Sequence, residues 1–340
     1  MDTSVNTNRL VWADSLKGWL IVLVVLGHAI QNVLGAHCES SRLWNMIYSF
    51  HMPAFMAVSG YLGFNSINRK GEGRNKWMPL ILRRLQQLII PFVIWTLILL
   101  ASDAGLSWTN IKEYFLYPDK GLWFLWVLFI VNVLFILGTW LSEKSRIRHE
   151  FVIICLCLLL AGIMLLFDLR ILGFQFIAYY FLFYTLGFYL HKYSDKVMTG
   201  SVALILLLVA VWGALAWFWR MHELPSFLAG LPLPAALVQY AYRFLAASVA
   251  VYVLLAAAPK ALDRKTWLNA PFVGLGALSL GIYTAHIVLM KHLVRLFSGL
   301  IVNQIALVAC SFAAALLLSW LIVFLLNKWK VTSRFLLGKI

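Results

Sequence analysis

Charge is what this sequence has least of. Lys, Arg, Asp and Glu together make up 12% of its 340 residues and only 13 are acidic, while 63% are hydrophobic and 15% aromatic. Soluble globular chains carry about 25% charged residues, so a water-soluble enzyme or binding module is excluded and a polytopic membrane protein is implied. Cysteine is scarce too. Cys155 and Cys157 share one apolar run, Cys310 lies in another, and Cys38 sits in a connecting segment, which gives neither a disulfide framework nor a metal-ligand spacing. Internal repeats, heptad arrays and low-complexity tracts are missing. The first apolar run is longer than a signal-peptide core and has no small-residue cleavage site after it, so no cleaved leader is expected.

What is present is apolar sequence in lengths that suit a bilayer. A spanning helix needs about 20 apolar residues, and ten such runs are read at 12–34, 44–64, 79–101, 121–141, 150–167, 171–191, 200–220, 235–258, 271–297 and 300–326. The fold class expected is all-α, a polytopic membrane helix bundle forming one domain over 1–340. Orientation follows from the basic residues, which short loops retain on the cytoplasmic side. With the N-terminus inside, only Arg42, Lys112, Lys120, Arg170, Arg220, Arg243, Lys291 and Arg295 of the 28 Lys and Arg residues fall outside or within a span. Both termini are therefore expected to be cytoplasmic. The net charge of +15 then reads as a topology signal and an attraction to anionic membrane lipids, with no nucleic-acid partner.

The first run, GWLIVLVVLGHAI from Gly18 to Ile30, carries His28 near its middle. An ionisable side chain at that depth is costly and marks function more often than packing. Lys17 precedes His28 by eleven residues. Eleven helical steps of about 100° return to within about 20° of the start, so both project from one face, about 16 Å apart along the axis. Such a stripe suits a ligand with an anionic head and a reactive tail. Coenzyme A is one: its phosphates stay with basic groups at the mouth while the pantetheine arm carries a thioester to the imidazole. Asp14, one turn before Lys17, steers the Lys side chain but lies about 21 Å from His28.

Other helices bring further candidates. His51 stands in Phe50-His51-Met52-Pro53, and His286 follows Ser279 and Tyr283 at spacings of four and three, which puts all three on one face. Three helices are expected to converge on one polar pocket, although intramembrane histidines also serve as interhelical hydrogen bonders. Arg83-Arg84 precedes Pro91; as a pair it is either a positive-inside anchor or a phosphate fork. Arg243, with Gln239 four residues before it, lies deeper than an anchor needs and is assigned to the acceptor side. Trp123 and Phe124 are interfacial belt residues or a sugar-stacking platform. The loop from Arg220 to Pro234 is a stiff lid or a plain connection. His37, His149, His191, His222 and His292 are expected on solvated surface.

Taken in order, five stretches resemble a known family: Trp12-Ala-Asp14-Ser-Leu-Lys17-Gly18 leading to Gly27-His28, Phe50-His51-Met-Pro53 through Ser59-Gly60-Tyr61, Arg83-Arg84 to Pro91, Leu122-Trp123-Phe124-Leu125, and Ser279-Leu-Gly-Ile-Tyr283-Thr-Ala-His286. The family is acyltransferase 3, integral membrane acyltransferases, and the likeness is closest to its fucose 4-O-acetylase-like branch. The resemblance implies ten transmembrane helices in the cytoplasmic (inner) membrane of a bacterium. It also implies acetyl-CoA as a cytoplasmic co-substrate with no tightly bound cofactor, and transfer of the acetyl group to a hydroxyl of a cell-surface glycan or lipid-linked saccharide. The family's pattern of a basic residue, ten residues and a histidine falls on Lys17 and His28. Arg is frequent at the first of these positions; Lys17 keeps the charge without the bidentate fork.

The chemistry expected is general-base catalysis. A neutral, desolvated His28 accepts the acceptor hydroxyl's proton as its oxygen attacks the thioester; an acyl-histidine is the alternative. Tyr283, Ser59 and His51 are the candidate oxyanion donors. The competing class is a transporter of a glycan or lipid intermediate. Proton-coupled carriers keep Asp or Glu inside the membrane, whereas here Asp14 and Asp168 fall near span ends.

Overall fold

The computed structural model describes residues 10–68, 77–167, 169–198, 200–263 and 266–339. Arg9, Arg69, Lys70, Arg74, Lys76, Asp168, Arg264 and Lys265, counted above among the charges, lie outside them. In chain order the helices are α1 (Val11–Leu34), α2 (Arg42–Tyr48), α3 (His51–Ile67), α4 (Trp77–Arg84), α5 (Ile90–Ser102), α6 (Trp108–Leu116), α7 (Trp123–Ser145) and α8 (His149–Leu166). They continue as α9 (Phe174–Lys192), α10 (Ser194–Val197), α11 (Val202–Phe218), α12 (Ala235–Ala261), α13 (Ala270–Ala277), α14 (Ser279–Ser298), α15 (Gln304–Leu326) and α16 (Lys330–Leu337). Among the described residues there is no strand, as expected of a chain that must satisfy its backbone polar groups within lipid.

Eight helical stretches among the described residues are long and apolar enough to cross a membrane. All ten expected runs are helical, but two fall short of that length: α3 and α11 have 17 residues each. Two runs are also broken. The second splits into α2 and α3 at Ser49 and Phe50, because Pro53 has no N–H to give the Ser49 carbonyl four residues back and its ring crowds that position. The ninth splits into α13 and α14 at Leu278. The third keeps its helical path but passes from α4 to α5 through a π-turn at Leu85–Ile89. There Pro91, lacking an N–H, leaves the Gln87 carbonyl without its usual helical donor.

Two seams organise the bundle, α13 along α1 and α9 along α3. Both rest on glycine. A Cβ on Gly276 would stand 1.7 Å from the Asp14 carbonyl oxygen, and one on Gly18 1.9 Å from that of Phe272. Across the second seam, a Cβ on Gly60 would stand 2.0 Å from the Tyr184 carbonyl oxygen and one on Gly187 1.9 Å from that of Ala57. Helix backbones approach this closely only where side chains are absent. The first seam is also pinned by Ser15, whose hydroxyl donates to the Asn269 side chain. The Trp19 and Phe272 rings stack over it at 3.6 Å.

Burial is uneven. In α9 the most apolar window is 56% buried and in α7 50%, against 22% in α8 and 28% in α15, while α11 buries only Ala216. The inner helices α1, α3, α7, α9 and α14 hold the core and the outer ones face lipid. Within α13, Gly274→Ala enters open space, whereas Gly276→Ala drives a methyl into the α1 backbone. Gly276→Ala is expected to lower stability by about 1–3 kcal/mol or more and Gly274→Ala to leave it unchanged or raise it slightly. Paired thermal melts in one detergent check this; equal melting temperatures would remove the seam from the account.

Candidate functional site

Helix α1 is the axis of the site, with Lys17 near its start, Ile21 one turn deeper and His28 two turns deeper still. A cavity of about 660 Å³ opens along that face. Lys17 and Ile21 form one wall, and Phe55, Ser59 and Leu62 of α3 a second. Arg83, Arg84 and Gln87 at the join of α4 and α5 form a third. Phe124 and Asn132 of α7, Ser279 and Tyr283 of α14, and Leu337, Gly338 and Lys339 close it. The seams of the fold explain why these residues meet. Gly276 lets α13 lie on α1, which sets Ser279 opposite Lys17; Gly60 and Gly187 hold α3 with Ser59 in place.

One end of the cavity is cationic, and its lining includes no acid among the described residues. Asp14 stands just behind the wall: it is 4% exposed, does not line the cavity, and holds the Lys17 ammonium at 2.7 Å. Arg84 donates from Nη1 to Gln87 Oε1 at 3.0 Å, and its buried Nε has no partner. Ser59 gives its hydroxyl proton to the Phe55 carbonyl at 2.9 Å, which leaves the oxygen as an acceptor.

The other end is aromatic and leads to the histidines. Tyr283 lines the cavity and its hydroxyl accepts the Phe124 N–H at 3.3 Å. One turn further along α14, the His286 ring lies 5.9 Å from that of Tyr283 and 5.2 Å from that of His28. His286 Nδ1 is 2.9 Å from the Ile282 carbonyl oxygen. A carbonyl only accepts, so the proton is on Nδ1 and Nε2 carries the lone pair; that Nε2 is buried without a partner. His51 repeats the arrangement, Nδ1 lying 2.7 Å from the Ile47 carbonyl oxygen. Here the break between α2 and α3 gives the reason, since the imidazole serves a carbonyl at the end of α2. His51 and His286 are 2% and 0% exposed, whereas His28 is half-buried. Among the described residues no group of three or more His, Cys, Asp or Glu is placed to hold a metal.

The structure thus gathers Lys17, Ser59, Arg83, Arg84 and Tyr283 around one cavity and sets His28 beside His286 just past its deep end. His28, His51, His286, Trp123 and Arg243 do not line it. Trp123 is stacked on Phe176 and Tyr180 at 4.8 and 5.0 Å. The Arg243 guanidinium lies 5.3, 5.4 and 5.7 Å from the rings of Tyr179, Trp219 and Tyr240 and donates to the Met221 carbonyl at 3.3 Å. Contact between Tyr179 and Tyr180, 5.2 Å between rings, joins these two residues into one aromatic wall. Gln239 also donates to the Met221 carbonyl, tying the 220–234 loop to α12.

Two histidines expected on solvated surface are packed instead. His149 lies between Thr139 Oγ1 at 3.1 Å and the Tyr189 hydroxyl at 2.9 Å, and His191 stacks on Phe64 at 4.6 Å. The aromatic content of α3 and α9 supplies these partners. Gln87, Asn132 and Lys339 escaped the sequence reading. A glutamine before a proline carried a faint signal; Lys339 carried none, because only the tertiary fold brings α16 to this cavity.

A family model described as an acyltransferase domain matches residues 10–324. The chain belongs to the acyltransferase 3 family. Within curated proteins, this acyltransferase is 31% identical over 169 residues to nodulation protein NolL of Mesorhizobium japonicum, covering 42% of each chain. It is 33% identical over 156 residues to NolL of Sinorhizobium fredii, covering 41% of each. The chain spans about two fifths of the length of these relatives. No solved structure matches it.

His51→Ala removes the imidazole from the Ile47 carbonyl in a buried site. The expected cost is about 1–3 kcal/mol of stability, read as a lower melting temperature, with His51→Asn restoring part of it by offering an amide N–H. A His51→Ala protein that melts like the wild type but loses activity would instead make the residue a substrate contact.

Proposed function

We propose that this membrane acyltransferase moves an acetyl group from cytoplasmic acetyl-CoA to a hydroxyl of an extracytoplasmic glycan or lipid-linked saccharide. On this reading it is one domain in a bacterial inner membrane, with ten crossings, both termini inside, and membership of the fucose 4-O-acetylase-like branch. The observation that carries the proposal is the cavity that is cationic at Lys17, Arg83 and Arg84 and reaches Tyr283, one helical turn from the His286 ring that packs on His28. A polyanionic head and a long neutral arm match those two ends.

In the reaction, Lys17 and the two arginines hold the phosphates, Asp14 fixing the Lys17 side chain. The pantetheine arm runs along α1 and presents the thioester carbonyl to His28. His28, the half-buried imidazole of the three, takes the proton of the acceptor hydroxyl as its oxygen bonds to the carbonyl carbon. The tetrahedral intermediate expels the coenzyme A thiolate, which takes that proton back, leaving ester and thiol. His286, its Nδ1 tied to Ile282, offers a fixed Nε2 acceptor against the His28 ring. Tyr283 faces the cavity near the developing oxyanion, while Ser59, its proton held by the Phe55 carbonyl, presents only an accepting oxygen, and the wall of Trp123, Tyr179, Tyr180 and Arg243 receives the saccharide. The NolL relatives are nodulation proteins by name.

The test is transfer of labelled acetyl from acetyl-CoA by the purified protein in liposomes. A positioned general base contributes about 10²–10⁴-fold, so His28→Ala is expected to lose at least the lower figure in transfer, and in slow thioester hydrolysis, at an unchanged melting temperature. Retention of activity within a few-fold would defeat the His28 assignment. A wild type that moves a saccharide across the bilayer without consuming thioester would make it a transporter.

A further inference from the structure

We infer that α16 and the two residues after it form the phosphate-binding wall of the donor cavity, with Lys339 as a further cationic contact to the phosphates of coenzyme A. This rests on the donor reading above and extends it to a segment that neither the sequence motifs nor the family model's matched residues include.

Three observations place the segment there. First, Leu337, Gly338 and Lys339 line the same cavity as Lys17, Arg83 and Arg84. Second, the docking is built in rather than incidental. Gly338 has φ 63° and packs so tightly on the π-turn that a Cβ would stand 2.1 Å from the Gln87 carbonyl oxygen. Only glycine meets both demands at low cost. Third, the segment is fastened on both sides of that contact. Trp95 Nε1 donates to the Leu336 carbonyl at 2.9 Å, the Lys339 N–H to the Ser333 carbonyl at 3.1 Å, and Lys339 Nζ to Asn327 Oδ1 at 2.7 Å.

The electrostatics name the ligand. Cations from α1, α4 and the segment after α16 converge on one cavity that no acid lines among the described residues. A cleft lined by side chains of one sign focuses their field on an entering polyanion. The Arg84 Nε, buried and without a partner, is a donor already stripped of water at this spot. Gln87 ties the arrangement together: its side chain takes the Arg84 guanidinium and Gly338 packs against its backbone. Seating the segment and aiming Arg84 are therefore one structural event. Lys339 lines the cavity that Lys17 enters, its ammonium resting on Asn327 at the rim, from where the flexible side chain reaches a bound phosphate.

The experiment measures binding of coenzyme A, dephospho-coenzyme A and pantetheine to the full-length protein in detergent by calorimetry. Wild type is expected to bind coenzyme A more tightly than pantetheine. Lys339→Gln, which retains an N–H for Asn327, is expected to weaken coenzyme A binding about 10-fold or more and to leave pantetheine binding unchanged, with Lys339→Arg restoring most of it. Gly338→Ala should reproduce the loss by unseating the segment, and Lys328→Gln, outside the cavity lining, should not. Wild-type affinity for coenzyme A in Lys339→Gln overturns the inference and leaves the donor reading standing. No coenzyme A binding by the wild type removes both. A parallel loss of pantetheine binding with a lowered melting temperature would make Lys339 structural and also overturn it.

Discussion

Direct backbone contact between helices is the constraint on which this structure depends. Inside a bilayer, apolar side chains gain little by leaving lipid for one another, so association rests on van der Waals fit and a few hydrogen bonds. Gly18 with Gly276, and Gly60 with Gly187, supply that fit by giving up side chains. The first pair fixes the distance between α1 and α13, hence between Lys17 and Ser279. The second fixes α3 against α9, hence Ser59 and the ring of Tyr184 that donates to Asn132. A cavity bounded by six segments keeps its shape because its walls are joined at points where nothing can compress.

Within that frame the chemistry is separated by depth. Ammonium and guanidinium groups gather at one end, imidazoles and phenols at the other, and α1 runs between them. Local irregularities serve this layout. The π-turn before Pro91 exposes the Gln87 carbonyl to Gly338, and the break before Pro53 hands the Ile47 carbonyl to His51. Each break follows from a proline that cannot donate. Pro91 frees the Gln87 carbonyl against which Gly338 packs, while Pro53 frees that of Ser49 and the resulting end of α2 leaves the Ile47 carbonyl within reach of the His51 imidazole.

Much of this was legible beforehand. Hydropathy located the eight helical stretches among the described residues that are long and apolar enough to cross a membrane, and simple helical geometry put Lys17 and His28 on one face and Ser279, Tyr283 and His286 on another. Local helix breaks were not legible, because a run of apolar residues reads as continuous whether or not Phe50 or Leu278 leaves the helical region. Nor was the role of the glycines, since a sequence does not say which neighbour a missing side chain admits. Lys339 was invisible for the same reason: the residues that share its cavity, Lys17, Arg83 and Arg84, lie hundreds of positions away. Asp14 was placed correctly beside Lys17, but behind the wall rather than within it.

The contrast between inner and outer helices bears on how such a sequence can drift. Along α11, and on the outer face of α8, side chains meet acyl chains, and lipid accepts one hydrophobe as readily as another, so those positions are free to exchange Leu, Ile, Val and Phe over generations. Along α1, α3 and α9 nearly every position touches a neighbour at fixed distance, and exchange there is expensive. Divergence in this fold should accordingly erase the periphery first, leaving descendants that look alike only along the lining of a shared interior.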